Sequence, residues 1–396
     1  MQVSERVNNL AASATLAMSQ KSAELKAQGV DVINLSVGEP DFPTPTHIKE
    51  AAKDAIDNNF TFYTPVAGYL SLRKAISEKL RRENGVEFAP EQIVVGNGAK
   101  QALCNVILAT INPGDEVIIP TPAWVSYVEM VKLAEGKVVE IAAPIEQDFK
   151  ITPAQLEAAI TAKTRMVLLC SPSNPTGSVY TPDELQGLVN VLASHPEIIV
   201  MADEIYEHIN FGTEIRSLAS FPELADRVVI INGVSKAYAM TGWRIGYCAC
   251  PLPIAKAVNK LQGQYTSGAS SIAQKAAEAA YTGSQECVET MRVAFERRRD
   301  LVVELAGQIP GLKVNKPQGA FYLFPEVSSF IGKSYDGKTI ESSGDLALYL
   351  LSEAHVATVD GAAFCAPGYI RLSYATSDDN IREAMKRIAD ALAKLA

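Results

Sequence analysis

Four short apolar runs in this chain each end on a residue type able to do chemistry. QIVVG (92–96) leads into Asn97-Gly98-Ala99-Lys100, and MVLLC (166–170) into Ser171-Pro172-Ser173-Asn174-Pro175-Thr176-Gly177. IIVMA (198–202) leads into Asp203-Glu204-Ile205-Tyr206, and VVIIN (228–232) into Gly233-Val234-Ser235-Lys236. A lone lysine on a loop is ordinarily a solvated cation. Its amine attacks a carbonyl only when deprotonated, a state favoured by burial and by neighbouring cations. Arg244, in TGWRIGY (241–247), is such a cation, and its fork of donors equally suits a phosphate. A carboxylate at Asp203 would keep the nitrogen of a pyridine ring protonated, making the ring an electron sink. Tyr206 and Asn174 are donors suited to a phenolic oxygen on the same ring.

The segment GNGAKQ (96–101) half-matches the dinucleotide fingerprint, with Gln101 in place of the third glycine. Physically it is a glycine-permitted turn that aims backbone N–H groups from a helix N-terminus. That arrangement suits a single phosphate as well as a dinucleotide.

These residues need a frame. The apolar runs Gln92–Gly96, Glu116–Pro120, Arg165–Cys170, Ile198–Ala202 and Arg227–Asn232 alternate with helical patterns. Such runs read as buried strands of a mostly parallel sheet in an α/β fold. Ligands bind beyond the carboxyl ends of such strands, where the polar residues above fall. Beyond about residue 285 the pattern changes to a long charged helix (Val288–Gln308) and strand-like segments at Ala320–Phe324 and Tyr369–Ala375. A smaller α+β domain is expected there. The division drawn is a large domain over 41–285, with 1–40 and 286–396 forming a small domain and N-terminal arm. FERRRD (295–300) reads as a solvated helix face.

With 396 residues, 47% of them hydrophobic, the chain has ample material for a sizeable core. A net charge of −9 disfavours nucleic acid as a partner but permits a local anion site. The first twenty residues carry charges early and build no apolar leader, and no run is long enough for a membrane span. A soluble, cytoplasmic protein is expected. The six cysteines sit mostly in apolar contexts and read as buried free thiols. The four histidines show no ligand spacing, so no metal is assigned.

The motifs extend nearly end to end. SVGEPDFPTP (36–45), YTPVAGYLSLRKAI (63–76), PAWVSY (122–127), SPSNPTG (171–177), DEIYEH (203–208), SKAYAMTGWRIGY (235–247), PQGAFY (317–322) and IRLSYA (370–375) together resemble the class I, aspartate-aminotransferase-like enzymes of pyridoxal-phosphate (PLP) fold type I, subgroup Ib. The resemblance implies a mostly parallel seven-stranded sheet between helices, plus a smaller α+β domain. It implies Lys236 as Schiff-base lysine and proton shuttle, with Asp203 on the pyridinium nitrogen. Tyr206 and Asn174 would hold the phenolic oxygen, and Trp124 would stack on the ring. Gly98, Ala99, Lys100, Ser235 and Arg244 would cup the phosphate, joined by Tyr63 of a neighbouring subunit in a homodimer with shared sites. Arg371 would grip the substrate α-carboxylate beside the Gly38 backbone, where Trp124 and Asn174 also face the substrate. Gly233 departs from the serine often found three residues before the lysine.

The implied reaction is a ping-pong transfer of an amino group from an L-amino acid to a 2-oxo acid such as 2-oxoglutarate. The segment matching a distal-carboxylate arginine in relatives, Ser267–Gln274, holds none, whereas Lys100 matches the lysine that does this work in subgroup Ib. Ser13 and Thr15 resemble residues of the same pocket. Aspartate or glutamate is therefore the expected amino donor. A prephenate or broad-specificity (aromatic or alanine) aminotransferase is the alternative, prephenate being weakened by Ala11 and Ala12 where a basic residue would accompany that activity. Another PLP reaction, such as elimination or decarboxylation, would use the same lysine, aspartate and tyrosine. A Rossmann-type dehydrogenase would leave Lys236, Asp203 and Asn174 without roles.

Overall fold

In the computed structural model, which describes residues 2–396, alternation along the apolar runs sets the layers. Successive side chains of a strand point to opposite faces. Val95, Ile118, Val167, Val200 and Ile230 thus enter one core, and Val94, Val117, Met166, Met201 and Val229 enter another. Apolar residues at every position mean a sheet covered on both sides.

That sheet has seven strands: β1 (Ile93–Asn97), β2 (Glu116–Thr121), β3 (Lys137–Ala142), β4 (Thr164–Cys170), β5 (Ile199–Asp203), β6 (Val228–Gly233) and β7 (Ile245–Ala249). Their order is β1-β7-β6-β5-β4-β2-β3. All are parallel except β7, which runs antiparallel to β6 and β1. The five runs picked out in the sequence fall within one residue of β1, β2, β4, β5 and β6. Among the described residues, no helix is long and apolar enough to cross a membrane.

A second core gathers Phe295, Phe321, Leu346, Leu372 and Ile388 around the helix Glu286–Gly307 and a small sheet. In that sheet Ile370–Ser373 lies antiparallel between Val359–Asp360 and Tyr322–Leu323. The strand expected over Ala320–Phe324 pairs at only two residues. Ile33–Asn34 runs parallel to Val356–Ala357 and so stitches the start of the chain to its end. This core also takes in Ile205, Tyr206, Ile209 and Phe211, so the segment after β5 joins the two lobes.

One expectation is overturned. FERRRD is not a solvated face: Phe295 is fully buried, and Arg298 and Arg299 are 7% and 5% exposed. The helix crosses the junction between the lobes, where its charges find fixed partners. Arg298 pairs bidentately with Asp41 at 2.7 and 2.9 Å, and Arg299 donates to the Pro317 carbonyl at 2.8 Å. Arg297 alone of the three arginines stays exposed, against Asp378.

Three glycines stand abreast where β1 and β6 end and β7 begins: Gly246 is in register with both Gly96 and Gly233. A Cβ on Gly246 would lie 2.1 Å from the Ala99 nitrogen, and one on Gly233 would lie 2.7 Å from the Gly246 Cα. Backbone packs on backbone here, which explains why position 233 carries no serine. Gly246→Ala should lower stability by about 1–3 kcal/mol, seen as a lower thermal midpoint. Gly307→Ala, whose methyl would meet nothing within 4 Å, should leave that midpoint unchanged or raised. Equal midpoints for the two variants would refute the close-packing account.

Candidate active site

A cavity of about 390 Å³ opens at the carboxyl edge of the sheet. The sheet topology brings there the ends of β1, β4, β5 and β6 and the start of antiparallel β7. The small lobe closes the cavity from the other side with Tyr322 and Arg371, and the stretch from Ser36 to Thr44 crosses between the lobes.

The β1 end is built for an anion. Gly98 takes φ +86°, a left-handed conformation natural to glycine, and starts the helix Ala99–Thr110 without a side-chain cap. The first N–H groups of a helix lack partners within it. Arg244 packs so close that a Cβ on Gly98 would lie 2.4 Å from its Nη2. The guanidinium is held by the Thr241 and Asn97 carbonyls at 2.9 and 3.2 Å, and Ser235 lines the same wall. Helix N-terminus, hydroxyl and guanidinium make a cup for a phosphate.

Asp203 closes β5 at 3% exposure and ion-pairs with nothing among the described residues. It accepts from the Tyr127 hydroxyl at 2.6 Å and from the Ile205 N–H at 3.2 Å. Burial pushes its pKa up to about 6, against the pull of the Tyr127 hydrogen bond. A cationic N–H from a ligand ring is what this carboxylate lacks.

Lys236 donates to the Gly38 carbonyl at 2.5 Å. Loss of hydration lowers its pKa to about 8; Glu39 opposes this, while Arg371 and Arg244 add to it. A lysine so placed is an amine for an appreciable fraction of the time near neutrality.

Arg371 is 1% exposed and faces no carboxylate among the described residues. Nη1 donates to Asn174 Oδ1 at 3.0 Å and Nη2 to the Ser36 carbonyl at 2.6 Å, while Nε has no partner. Because guanidinium only donates, Asn174 must present its oxygen there, which leaves its NH₂ for the cavity. A buried cation supplied only with carbonyl-type acceptors suits a ligand carboxylate.

The cavity thus gathers Gly38, Ala99, Lys100, Trp124, Asn174, Asp203, Tyr206, Ser235, Lys236, Arg244 and Arg371, with Ser13 and Thr15 at its mouth. Gly98 lies behind Arg244. Lys100 Nζ sits 4.8 Å from the Trp124 ring centroid. Tyr63 is not brought in; its side chain is 100% exposed. Two phenols were missed in the sequence, Tyr127 and Tyr322. The latter meets the Tyr206 hydroxyl at 2.7 Å and lies under Arg371, 4.5 Å from ring centroid to guanidinium carbon. WVSY places Tyr127 one helical turn from Trp124, which is the signal for it in the sequence, and Tyr322 ends the motif PQGAFY.

The comparisons with known proteins give the family. The family described as aminotransferase class I and II matches residues 30–388. The chain is 50% identical to an aspartate/prephenate aminotransferase of Nitrosomonas europaea, covering 99% of this chain and 100% of that one. Among solved structures, an aspartate aminotransferase of Rhizobium meliloti aligns over 100% of both chains at 45% identity, with a TM-score of 0.96. An aspartate aminotransferase of Thermus thermophilus with maleate aligns at 42% identity and a TM-score of 0.93, covering 99% and 100%. Sequence and fold agree along the whole chain, which therefore belongs to the class I and II aminotransferases.

Proposed function

We propose that this aminotransferase holds pyridoxal 5'-phosphate and moves the amino group of aspartate or glutamate to a 2-oxo acid such as 2-oxoglutarate. The observation that carries this reading is a half-buried amine together with a buried carboxylate and a buried guanidinium that, among the described residues, have no ion-pair partner, all in one cavity. Each lacks a partner that the cofactor or an amino acid has. When bound, the cofactor supplies a reactive aldehyde and an electron-accepting ring.

The chain's residues divide the remaining work. The helix start at Gly98, Ala99 and Lys100 takes the phosphate with Ser235, Arg244 and the Tyr63 of a neighbouring subunit. Trp124 covers the ring, Asp203 keeps its nitrogen protonated, and Tyr206 and Asn174 donate to its phenolic oxygen. Arg371, with the Gly38 backbone beside it, orients the substrate α-carboxylate. Lys236, tethered within the cavity, takes the proton from the substrate α-carbon and gives it back on the far side of the transfer.

For the distal carboxylate we assign Lys100, which reaches over Trp124 from the helix start. The name of the Nitrosomonas europaea relative favours prephenate as a second substrate. Ala11 and Ala12 are exposed and offer no cation for its second carboxylate, so the dicarboxylic amino acids come first. We take the working assembly to be a cytoplasmic homodimer with shared sites, in which 41–285 forms the large lobe and 1–40 with 286–396 the small one. The exposed Phe62 and Tyr63, at 79% and 100%, supply apolar surface for such a contact.

Three measurements test the reading. Borohydride treatment of the loaded protein should fix the cofactor covalently to Lys236, and a peptide map with that lysine unmodified would end the proposal. The rate at which the bare protein captures pyridoxal phosphate should rise with pH through a midpoint near 8, because only the free amine attacks. A midpoint close to the ordinary lysine value would mean the cavity does not tune the amine. Lys100→Ala should lower the aspartate-to-alanine ratio of kcat/KM about 10–100-fold, the worth of one charge-assisted hydrogen bond. An unchanged ratio would remove Lys100 as selector.

A further inference from the structure

We propose that Tyr322 is a positioning residue that acts through Tyr206, donating its hydroxyl proton to the Tyr206 oxygen so that Tyr206 becomes a stronger donor to the ligand in the cavity. The inference rests on the reading that a pyridoxal group presents its phenolic oxygen to Tyr206.

The two hydroxyls are 2.7 Å apart, and the residues are 1% and 3% exposed. Among the described residues neither hydroxyl has another hydrogen-bond partner. A phenol owns one proton. Once Tyr206 turns its proton toward a ligand, its oxygen needs a donor, and Tyr322 is the one in reach. Hydrogen bonds in series polarise one another, most strongly where water is excluded.

Charge sets the direction of the chain. Both phenols are raised by burial, but the Arg371 cation works against that rise and lies directly over the Tyr322 ring, at 4.5 Å. Tyr322 is therefore well placed to give its proton to Tyr206 once the latter points outward.

Geometry fixes the phenol in place. Tyr322 pairs with Ser373 across the small sheet, two residues from Arg371, so one strand pair carries both. Its ring meets Tyr206 nearly edge-on, with centroids 5.8 Å apart. On the other side Gly38 leaves the room it needs, since a Cβ there would lie 2.4 Å from the Tyr322 hydroxyl. One side chain thus touches the carboxylate grip, the ring-oxygen donor and the strap whose carbonyl holds Lys236.

The test uses the holoprotein and the pH midpoint of its visible absorbance band. Tyr322→Phe keeps the ring over Arg371 and removes only the hydroxyl. The midpoint should move upward by about 0.5–1 pH unit, because a weaker donor leaves more negative charge on the phenolic oxygen and raises the chromophore's proton affinity. Tyr206→Phe should move it further, and adding Tyr322→Phe to that background should then do nothing more. Tyr322→3-fluorotyrosine, of nearly unchanged shape but a better donor, should shift the midpoint downward. A midpoint unmoved in both Tyr322 variants, or a Tyr322→Phe shift that persists without the Tyr206 hydroxyl, overturns the inference. Wild-type protein with no visible band would instead overturn the cofactor reading beneath it.

Discussion

Everything in the cavity depends on keeping a carboxylate and a guanidinium buried and apart. Taking an ion out of water costs several kcal/mol even after relaxation, and pairing is the usual remedy. The reverse face of the segment after β5 uses that remedy: Glu207 pairs with Lys79, itself 1% exposed, and accepts from Asn84 and Asn232 at 2.6 and 2.5 Å. Four residues upstream, Asp203 is given only a phenol and an N–H. The same short stretch therefore carries one satisfied ion pair and one unpaired charge. Packing alone accounts for the first and not for the second.

Rigid strands hold the opposed charges apart. Asp203 is locked in register against Cys170 on one side and Ile231 on the other, and Arg371 sits on the central strand of the small sheet. Between them runs the Ser36–Thr44 strap, which offers carbonyls instead of carboxylates. The Ser36 carbonyl accepts from Arg371 and the Gly38 carbonyl from Lys236, while Glu39 is drawn aside to Thr241 at 2.9 Å. A carbonyl solvates a cation without neutralising it, so Arg371 keeps its charge for a ligand while Lys236, with no carboxylate bound to it, stays able to release its proton. The strap is anchored to the small lobe by Asp41 on Arg298 and to the large one by Thr44 on the Ala239 carbonyl. That anchoring is the structural reason Arg298 of FERRRD is buried.

Legibility in the sequence followed the same physics. Asp203, Asn174 and Lys236 were visible because polar residues at the ends of apolar runs have few structural explanations. The two-sided sheet was visible because the middle positions of β1, β2, β4, β5 and β6 are apolar without a break. Tyr127 and Tyr322 were not, because a tyrosine in an apolar stretch looks like core until its hydroxyl is seen to have a polar destination. The small-lobe strand over Ala320–Phe324 was overestimated for a related reason: Phe321 and Phe324 are apolar for packing in separate clusters, and only Tyr322 and Leu323 pair. Charge runs mislead most where a helix bridges two lobes, since the partners of Arg298 and Arg299 lie 257 residues upstream at Asp41 and 18 downstream at Pro317.

Unpaired buried charges also tie stability to occupancy. The folded state carries Asp203 with a raised proton affinity, so without a cationic partner this carboxyl costs the fold stability as pH rises past its unfolded value toward about 6. A ligand that presents N–H⁺ removes that cost, and one that presents a carboxylate does the same for Arg371. Whatever binds the folded state alone stabilises it by mass action. Filling the site and firming the junction between the lobes are then one event, because the strap that accepts from Arg371 and Lys236 is the segment that joins the two cores.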